Sequence, residues 1–202
     1  MFTGIVLGMA EVIGIDKKDK FQTHTLRFTD KMSDGLEVGA SVAHNGCCLT
    51  VTEVKGDSVK FDLMQETLRI TNLGELSIGD FVNIERAAKF GDEIGGHSMS
   101  GHINRMTHIV AREESENNVT LWFEIDESTR KYVLEKGYVG LDGCSLTIGT
   151  VENDRFCVHL IPETLQRTLF GQKQVGSSVN IEIDPQTQAI VDTVERVLAS
   201  KA

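Results

Sequence analysis

Cysteine and histidine carry most of the proton and nucleophile chemistry available near neutral pH, and this chain gathers them in a few places. Cys48 follows Cys47 and stands close after His44. A thiol in that company could be polarised for proton transfer or substrate contact. It could equally be a small buried residue at a strand start. His97 and His102 end a glycine-rich stretch, Gly91-Asp92-Glu93-Ile94-Gly95-Gly96-His97-Ser98-Met99-Ser100-Gly101-His102, with His108 beyond. The stretch has no Gly-Lys-Ser/Thr ending and leads from no strand into a helix, so it is not a nucleotide loop. The His97–His102 spacing suits neither one helix face nor the usual zinc patterns, so no metal is expected. That leaves a histidine-bearing linker, or His102 as an acid/base group. The four cysteines (Cys47, Cys48, Cys144, Cys157) contain no C-x-x-C pair. They fit neither a disulfide scaffold nor a zinc site, and a reduced, cytoplasmic setting is expected.

The elements that position these residues come from an internal repeat. Gly46-Cys47-Cys48-Leu49-Thr50-Val51 returns as Gly143-Cys144-Ser145-Leu146-Thr147-Ile148, 97 residues later. Glu66-Thr67-Leu68 returns as Glu163-Thr164-Leu165, and Val82-Asn83-Ile84-Glu85 as Val179-Asn180-Ile181-Glu182. Aligned without a gap, Val42–Glu85 and Val139–Glu182 match at 18 of 44 positions. Unrelated segments would match at about three. Thr3-Gly4-Ile5-Val6 faces Ser100-Gly101-His102-Ile103 at the same offset. The chain is a tandem duplication, with halves at 1–97 and 98–194 and a tail segment at 185–202 overlapping the second. The halves differ where chemistry is at stake: Cys48 faces Ser145, Asn45 faces Asp142, and Gly39 faces Lys136. Two similar ligands with unlike surroundings would let one act as donor and the other as acceptor.

Each half reads as short strands: Ile5–Ile15, Thr23–Phe28, Leu49–Val54, Val59–Leu63 and Phe81–Glu85, with Val119–Ile125 the clearest in the second half. Lys55-Gly56-Asp57 and Glu152-Asn153-Asp154 take hairpin-turn places. Helical signals are brief, at Glu66–Thr71, Glu163–Thr168 and Ser128–Lys136, the last with Ser128 as N-cap. A small barrel or Greek-key sandwich per half is the expectation. Asp184-Pro185 then starts a tail helix whose Ile190, Val191, Val194, Val197 and Leu198 form an apolar stripe. The stripe either packs on its own barrel or pairs with another copy.

Composition narrows the partners. The 202 residues are 40% hydrophobic and 25% charged, an ordinary globular balance. A net charge of −10 with no basic block makes nucleic acid an unlikely partner. No apolar run approaches the ~20 residues that cross a bilayer, and Met1-Phe2-Thr3-Gly4-Ile5-Val6 lacks the basic flank of a signal peptide, so no membrane association is expected.

Met1-Phe2-Thr3-Gly4-Ile5-Val6, Ala43–Val51, Gly95–Ile103, Cys157–Leu165 and Val179–Pro185 resemble the riboflavin synthases of the alpha-chain type, over nearly the whole chain. The resemblance implies an all-β protein, a tandem duplication of two six-stranded Greek-key β-barrels with a C-terminal α-helix that drives a homotrimer. It implies dismutation of two molecules of 6,7-dimethyl-8-ribityllumazine by four-carbon transfer. The products would be riboflavin and 5-amino-6-ribitylaminouracil, made without metal or cofactor, and lumazine synthase would be a further partner. Each barrel would bind one pteridine, with the productive site between the first barrel of one subunit and the second of its neighbour. Carried over by motif, the first barrel's ligand contacts are Gly4, Ile5, Val6, Cys48, Leu49, Thr50, Asp62, Leu63, Met64, Gln65, Glu66 and Thr67. Those of the second are Gly101, His102, Ile103, Ser145, Leu146, Thr147, Ile161, Pro162, Glu163, Thr164, Leu165 and Gln166, with Lys136 reaching ligand across the subunit boundary. Ser41, Cys48, His102, Asp142 and Thr147 match positions implicated in catalysis.

Overall fold

Alternating apolar residues wind each half into a closed six-stranded antiparallel barrel, which leaves no unpaired sheet edge. The computed structural model describes residues 1–29 and 31–201; Ala202, the last residue of the expected tail segment, lies outside the described residues. The first barrel comprises β1 (Gly8–Lys18), β2 (Phe21–Arg27), β3 (Ser41–His44), β4 (Cys47–Lys55), β5 (Ser58–Met64) and β6 (Phe81–Arg86). They close in the order β1-β2-β5-β4-β3-β6. The second repeats that order with β7 (Arg105–Glu114), β8 (Val119–Glu124), β9 (Tyr138–Leu141), β10 (Cys144–Val151), β11 (Arg155–Leu160) and β12 (Ser178–Ile183). Even the bulges are duplicated: register shifts at Val12/Gly14 and Val51/Glu53 return at Ile109/Ala111 and Ile148/Val151. Such bulges give the strands the extra bend that closure requires.

One expectation fails in an informative way. The first strand begins at Gly8 rather than Ile5, because Gly4 and Val6 turn to the other barrel, where the Gly4 carbonyl meets Ser145 and Val6 enters the core. Val6 is buried in the second barrel's core, and Ile103 in the first barrel's. Between the barrels the Asn45-Gly46 and Asp142-Gly143 turns meet tip to tip, each with both residues at positive φ. This is the geometry of a tight two-residue hairpin. A Cβ on Gly46 would lie 2.8 Å from the backbone nitrogen of Gly143, so the tips can touch only as glycines.

The short helices α1 (Gln65–Ile70) and α3 (Pro162–Arg167) follow β5 and β11 at equivalent places. In each, the threonine after the last turn donates its hydroxyl to a helix carbonyl, Thr71 to Thr67 and Thr168 to Thr164, both at 2.6 Å. The expected helix at Ser128–Lys136 shrinks to one turn, α2 (Glu127–Arg130), capped by Asp126 rather than Ser128. Val133, beyond that turn, enters the second core. The tail helix α4 (Pro185–Ala199) forms as expected, with the Asp184 carboxylate accepting from the Gln186 and Thr187 amides. No residue of α4 is buried, and Ile190 and Leu198 are 64% and 63% exposed. Packing of the stripe on its own barrel is therefore set aside. Polar contacts fasten the other side of the helix, from Lys131 to Asp192 and Glu195 and from the Tyr132 hydroxyl to Asp192.

His44 and Cys47 pair across β3 and β4 with both side chains buried. The His44 ring packs edge-on against Phe61, with centroids 4.1 Å apart. Burial lowers its pKa to about 3, and burial raises the Cys47 thiol to about 12. Leu141 occupies the equivalent place in the second barrel. Because the folded His44 resists protonation, the stability it permits is complete above the unfolded value near 6.5. That stability falls as pH drops from there toward 3, by roughly 1.4 kcal/mol per unit. His24, lowered to about 4 by burial and by Lys17, acts in the same sense. His44→Leu is expected to flatten the fall of melting temperature between pH 6.5 and 4; calorimetry that finds the slope unchanged would refute this assignment.

Candidate functional site

Two buried carboxylates hold the crossing segments in place. Glu85 accepts from the Thr3 amide at 2.6 Å, the Thr3 hydroxyl at 2.8 Å and the Gly4 amide at 3.0 Å. Glu182 accepts from the Ser100 amide at 2.6 Å, the Ser100 hydroxyl at 2.8 Å and the Gly101 amide at 3.1 Å. Burial raises both carboxyl pKa values, and these donors oppose the rise. So pinned, the Gly4 carbonyl accepts from the Ser145 amide and the Gly101 carbonyl from the Cys48 amide, each at 2.9 Å. Phe2 and Met99 exchange two backbone hydrogen bonds where the segments pass, at 2.9 and 3.0 Å.

This crossing corrects the carry-over. Gly4, Ile5 and Val6 belong to the second barrel's half-site, while Gly101, His102 and Ile103 belong to the first's. The second half-site contains a cavity of about 270 Å³ lined by Gly4, Ile5, Val6, Ser145, Leu146 and Thr164, among others. An adjoining cavity of about 280 Å³ shares Ser145, Leu146 and Thr164 and adds Lys136, Thr147, His159 and Ile161. Glu163 lines the first of these and is ion-paired with Arg167. In the first half-site Gly101-His102-Ile103 lies along Cys48-Leu49-Thr50. His102 and Thr50 are exposed there, and Cys48 and Thr67 half-buried. Asp62, Met64, Gln65 and Glu66 are exposed along the end of β5 and the start of α1.

Other expected residues lie elsewhere. Leu49 and Leu63 are core residues of the first barrel, and Leu165 packs against the core of the second. Ser41 begins β3, half-buried. Pro162 and Gln166 are exposed on α3. Asp142, expected as a catalytic group, is fully buried between the barrels, paired with Lys173 at 2.7 Å. Its carboxylate also accepts from the Asn72 side chain at 2.9 Å and the Asn180 amide at 2.8 Å. It shapes the turn that leads to Ser145 rather than lining either cavity. A larger concavity of about 740 Å³ is walled by Arg105, Glu124, Asp126, Asp154 and Arg155 and contains none of the expected residues.

The histidines separate. His97 sits 2.6 Å from the Ser145 hydroxyl through Nδ1 and stacks on Tyr138 at 5.0 Å. Burial lowers its pKa and Asp184 opposes this. The sequence does not show its contact with Ser145, because it arises from the crossing and the repeat equivalent of His97 is Val194 in α4. His108 pairs instead with Glu124 at 2.6 Å.

The chain matches the lumazine binding domain family twice, over residues 3–87 and 100–184. It is 63% identical to the riboflavin synthase of Escherichia coli (strain K12) over 202 residues, covering 100% of this chain and 95% of that one. The blue fluorescence protein of Aliivibrio fischeri is 39% identical over 198 residues, with 91% and 96% covered. A solved structure of LumP complexed with 6,7-dimethyl-8-(1'-D-ribityl) lumazine superimposes with a TM-score of 0.83 at 28% identity, covering 91% and 99%.

Gly101 has φ +80, and a Cβ there would stand 2.6 Å from Cys48 Cβ; Gly56, at φ +61, has open space around it. The left-handed backbone alone costs a substituted residue about 1–2 kcal/mol. Gly101→Ala is therefore expected to lower unfolding free energy by more than Gly56→Ala does, by at least ~1 kcal/mol further. Equal losses in denaturant titrations would show that the crossing is not tightly packed.

Proposed function

This chain belongs to the riboflavin synthase family, and from that premise we propose how it dismutates two molecules of 6,7-dimethyl-8-ribityllumazine into riboflavin and 5-amino-6-(D-ribitylamino)uracil, the last step of riboflavin biosynthesis. The observation that carries the reading is the pair of half-sites, each made from both halves of the chain. A four-carbon transfer between two identical molecules needs two such seats and no external oxidant. The same chemistry explains why the halves must differ where they meet the reacting carbons.

The substituent at N8 of the lumazine leaves no proton there to lose, so the C7 methyl is unusually acidic and its anion is stabilised. His102, exposed beside Cys48, assists removal of that proton. Cys48 or Ser41 assists nucleophilic addition at C7 of the acceptor. Thr50 and Thr67 in one half-site, with Thr147 and Thr164 in the other, hydrogen-bond the pyrimidine edges, and Lys136 reaches toward ligand across a subunit boundary. Asp142 acts as a positioning residue through the Asp142-Gly143 turn. Holding two pteridines face to face replaces a bimolecular encounter, an effect of up to ~7–11 kcal/mol. General acid–base help contributes about 10²–10⁴-fold, so positioning dominates.

The exposed stripe of α4 supports a homotrimer in which the first barrel of one subunit faces the second barrel of the next. Lumazine synthase is the proposed further partner. Free cysteines are consistent with a cytoplasmic setting, and no described helix is long and apolar enough to cross a membrane.

Incubation with ribityllumazine is expected to yield riboflavin absorbance. Binding with fluorescence and no turnover would place the chain with optical antennae instead, a reading raised by the blue fluorescence protein relative. His102→Gln is expected to cut turnover by at least ~10²-fold with little change in ligand affinity; unchanged turnover removes its proton role. Removing residues 185–202 is expected to give monomers of low activity by light scattering and assay. A truncated chain that remained a fully active trimer would end the argument from the helix.

A further inference from the structure

Where the halves meet, the second carries a buried charge pair that the first does without. Asp142 and Lys173 lie 2.7 Å apart, with side chains 0% and 14% exposed. The first half has Asn45 and Leu76 at the same places of the repeat. Both turns nevertheless share one backbone form, with φ +45 and +81 at Asn45-Gly46 and +43 and +81 at Asp142-Gly143. The turn itself therefore needs no charge. A buried ion pair is seldom more stabilising than a well-packed neutral pair, and this molecule holds the neutral pair for comparison.

Lys173 is held in place from several sides. Its amide donates to the Leu169 carbonyl at 2.9 Å, and its own carbonyl accepts from the Arg112 guanidinium at 3.3 Å. Arg112, whose repeat equivalent is Ile15, also donates to the Phe170 carbonyl at 3.0 Å. The Lys173 ammonium donates to the Ser178 carbonyl as well as meeting Asp142. On the acid, Oδ1 accepts from the Asn72 side chain and the Asn180 amide. Oδ2 has no partner among the described residues but that ammonium. Asn72 comes from the first half, and its repeat equivalent is Leu169, so this clamp across the halves has no mirror image.

The clamped turn runs directly into the second half-site. Ser145, three residues after Asp142, lines both cavities there and donates its amide to the Gly4 carbonyl. We propose that Lys173 is a positioning residue for the four-carbon transfer: as the countercharge of Asp142 it fixes the Asp142-Gly143 turn, and through it the placement of Ser145 against Gly4. The inference rests on the function proposed above and deepens it. Lys173 lines neither half-site cavity, so its effect falls on the geometry of the seat rather than on contact with ligand. A shift of about 1 Å at the reacting atoms costs up to ~10²-fold in rate.

Steady-state kinetics of the full-length protein test this. Lys173→Ala is expected to lower kcat at least tenfold, with KM and riboflavin affinity each changing less than threefold. A concavity of about 560 Å³ lined by Lys173, Asn72, Gln172 and Ser178 gives a small cation access to the vacated place. Ethylammonium is expected to restore much of the lost turnover, and tetramethylammonium, which has no N–H to donate, to restore none. Asp142→Asn with Lys173→Leu installs the first half's own pair; this variant is expected to melt within a few degrees of the unaltered protein and still turn over at least tenfold more slowly. Full turnover in either variant overturns the proposal, as does equal recovery with both cations or recovery with neither. Should Lys173→Ala fail to fold, the paired variant decides alone. Failure of the unaltered protein to make riboflavin would instead overturn the reading of the reaction.

Discussion

The buried hydrogen bonds that anchor each leading segment on the opposite barrel set the terms for everything else. Thr3-Gly4 and Ser100-Gly101 each end on a buried glutamate of their own half, then hand their carbonyls to Ser145 and Cys48 of the other. An unpaired carboxylate in such a place would be costly, so the three donors to each glutamate and the crossing itself stand or fall together. The approach is backbone to backbone, which explains glycine at 4, 46, 101 and 143. It also lines the cavity at Ser145-Leu146 with Gly4, Ile5 and Val6 of the other half, which makes that cavity a joint product of both halves.

On this nearly symmetric frame the proposed chemistry draws on the exceptions. Cys48 faces Ser145, and His102 takes the place that Ile5 holds in the other half. Lys136 replaces a glycine, and Asp142 replaces Asn45 at the tip of a turn. The first two put a thiol and an imidazole beside one seat only. The last adds a buried ion pair with Lys173 that distinguishes the halves at their contact. Duplication supplied two seats of one shape, and these differences make them unequal.

Much of this was legible in the sequence because a fixed offset exposes matched strands, turns and helix caps without knowledge of the fold. The motifs of the half-sites stood out as the best-matched stretches, and the Asp184-Pro185 helix start was plain. What stayed hidden depends on contacts between distant segments. A gapless repeat assigns Gly4–Val6 to the first barrel by adjacency, and nothing local in those residues announces that Val6 is buried in the second. The surroundings of Asp142 are hidden for the same reason: its partners Lys173, Asn72 and Asn180 are far away in the chain. β3 is four residues long, too short for alternation to show. Ser128 and Asp126 are both good N-caps, and it is the Asp126 carboxylate that accepts from the Thr129 amide.

The central claim is that each ligand is held by one half's leading segment laid on the other half's barrel. A crystal structure with riboflavin bound tests it most directly. The account predicts riboflavin against Gly4–Val6 together with Ser145–Thr147, or against Gly101–Ile103 together with Cys48–Thr50. Riboflavin seated in the concavity around Arg105 and Asp126, or touching a barrel without its crossing segment, would contradict it.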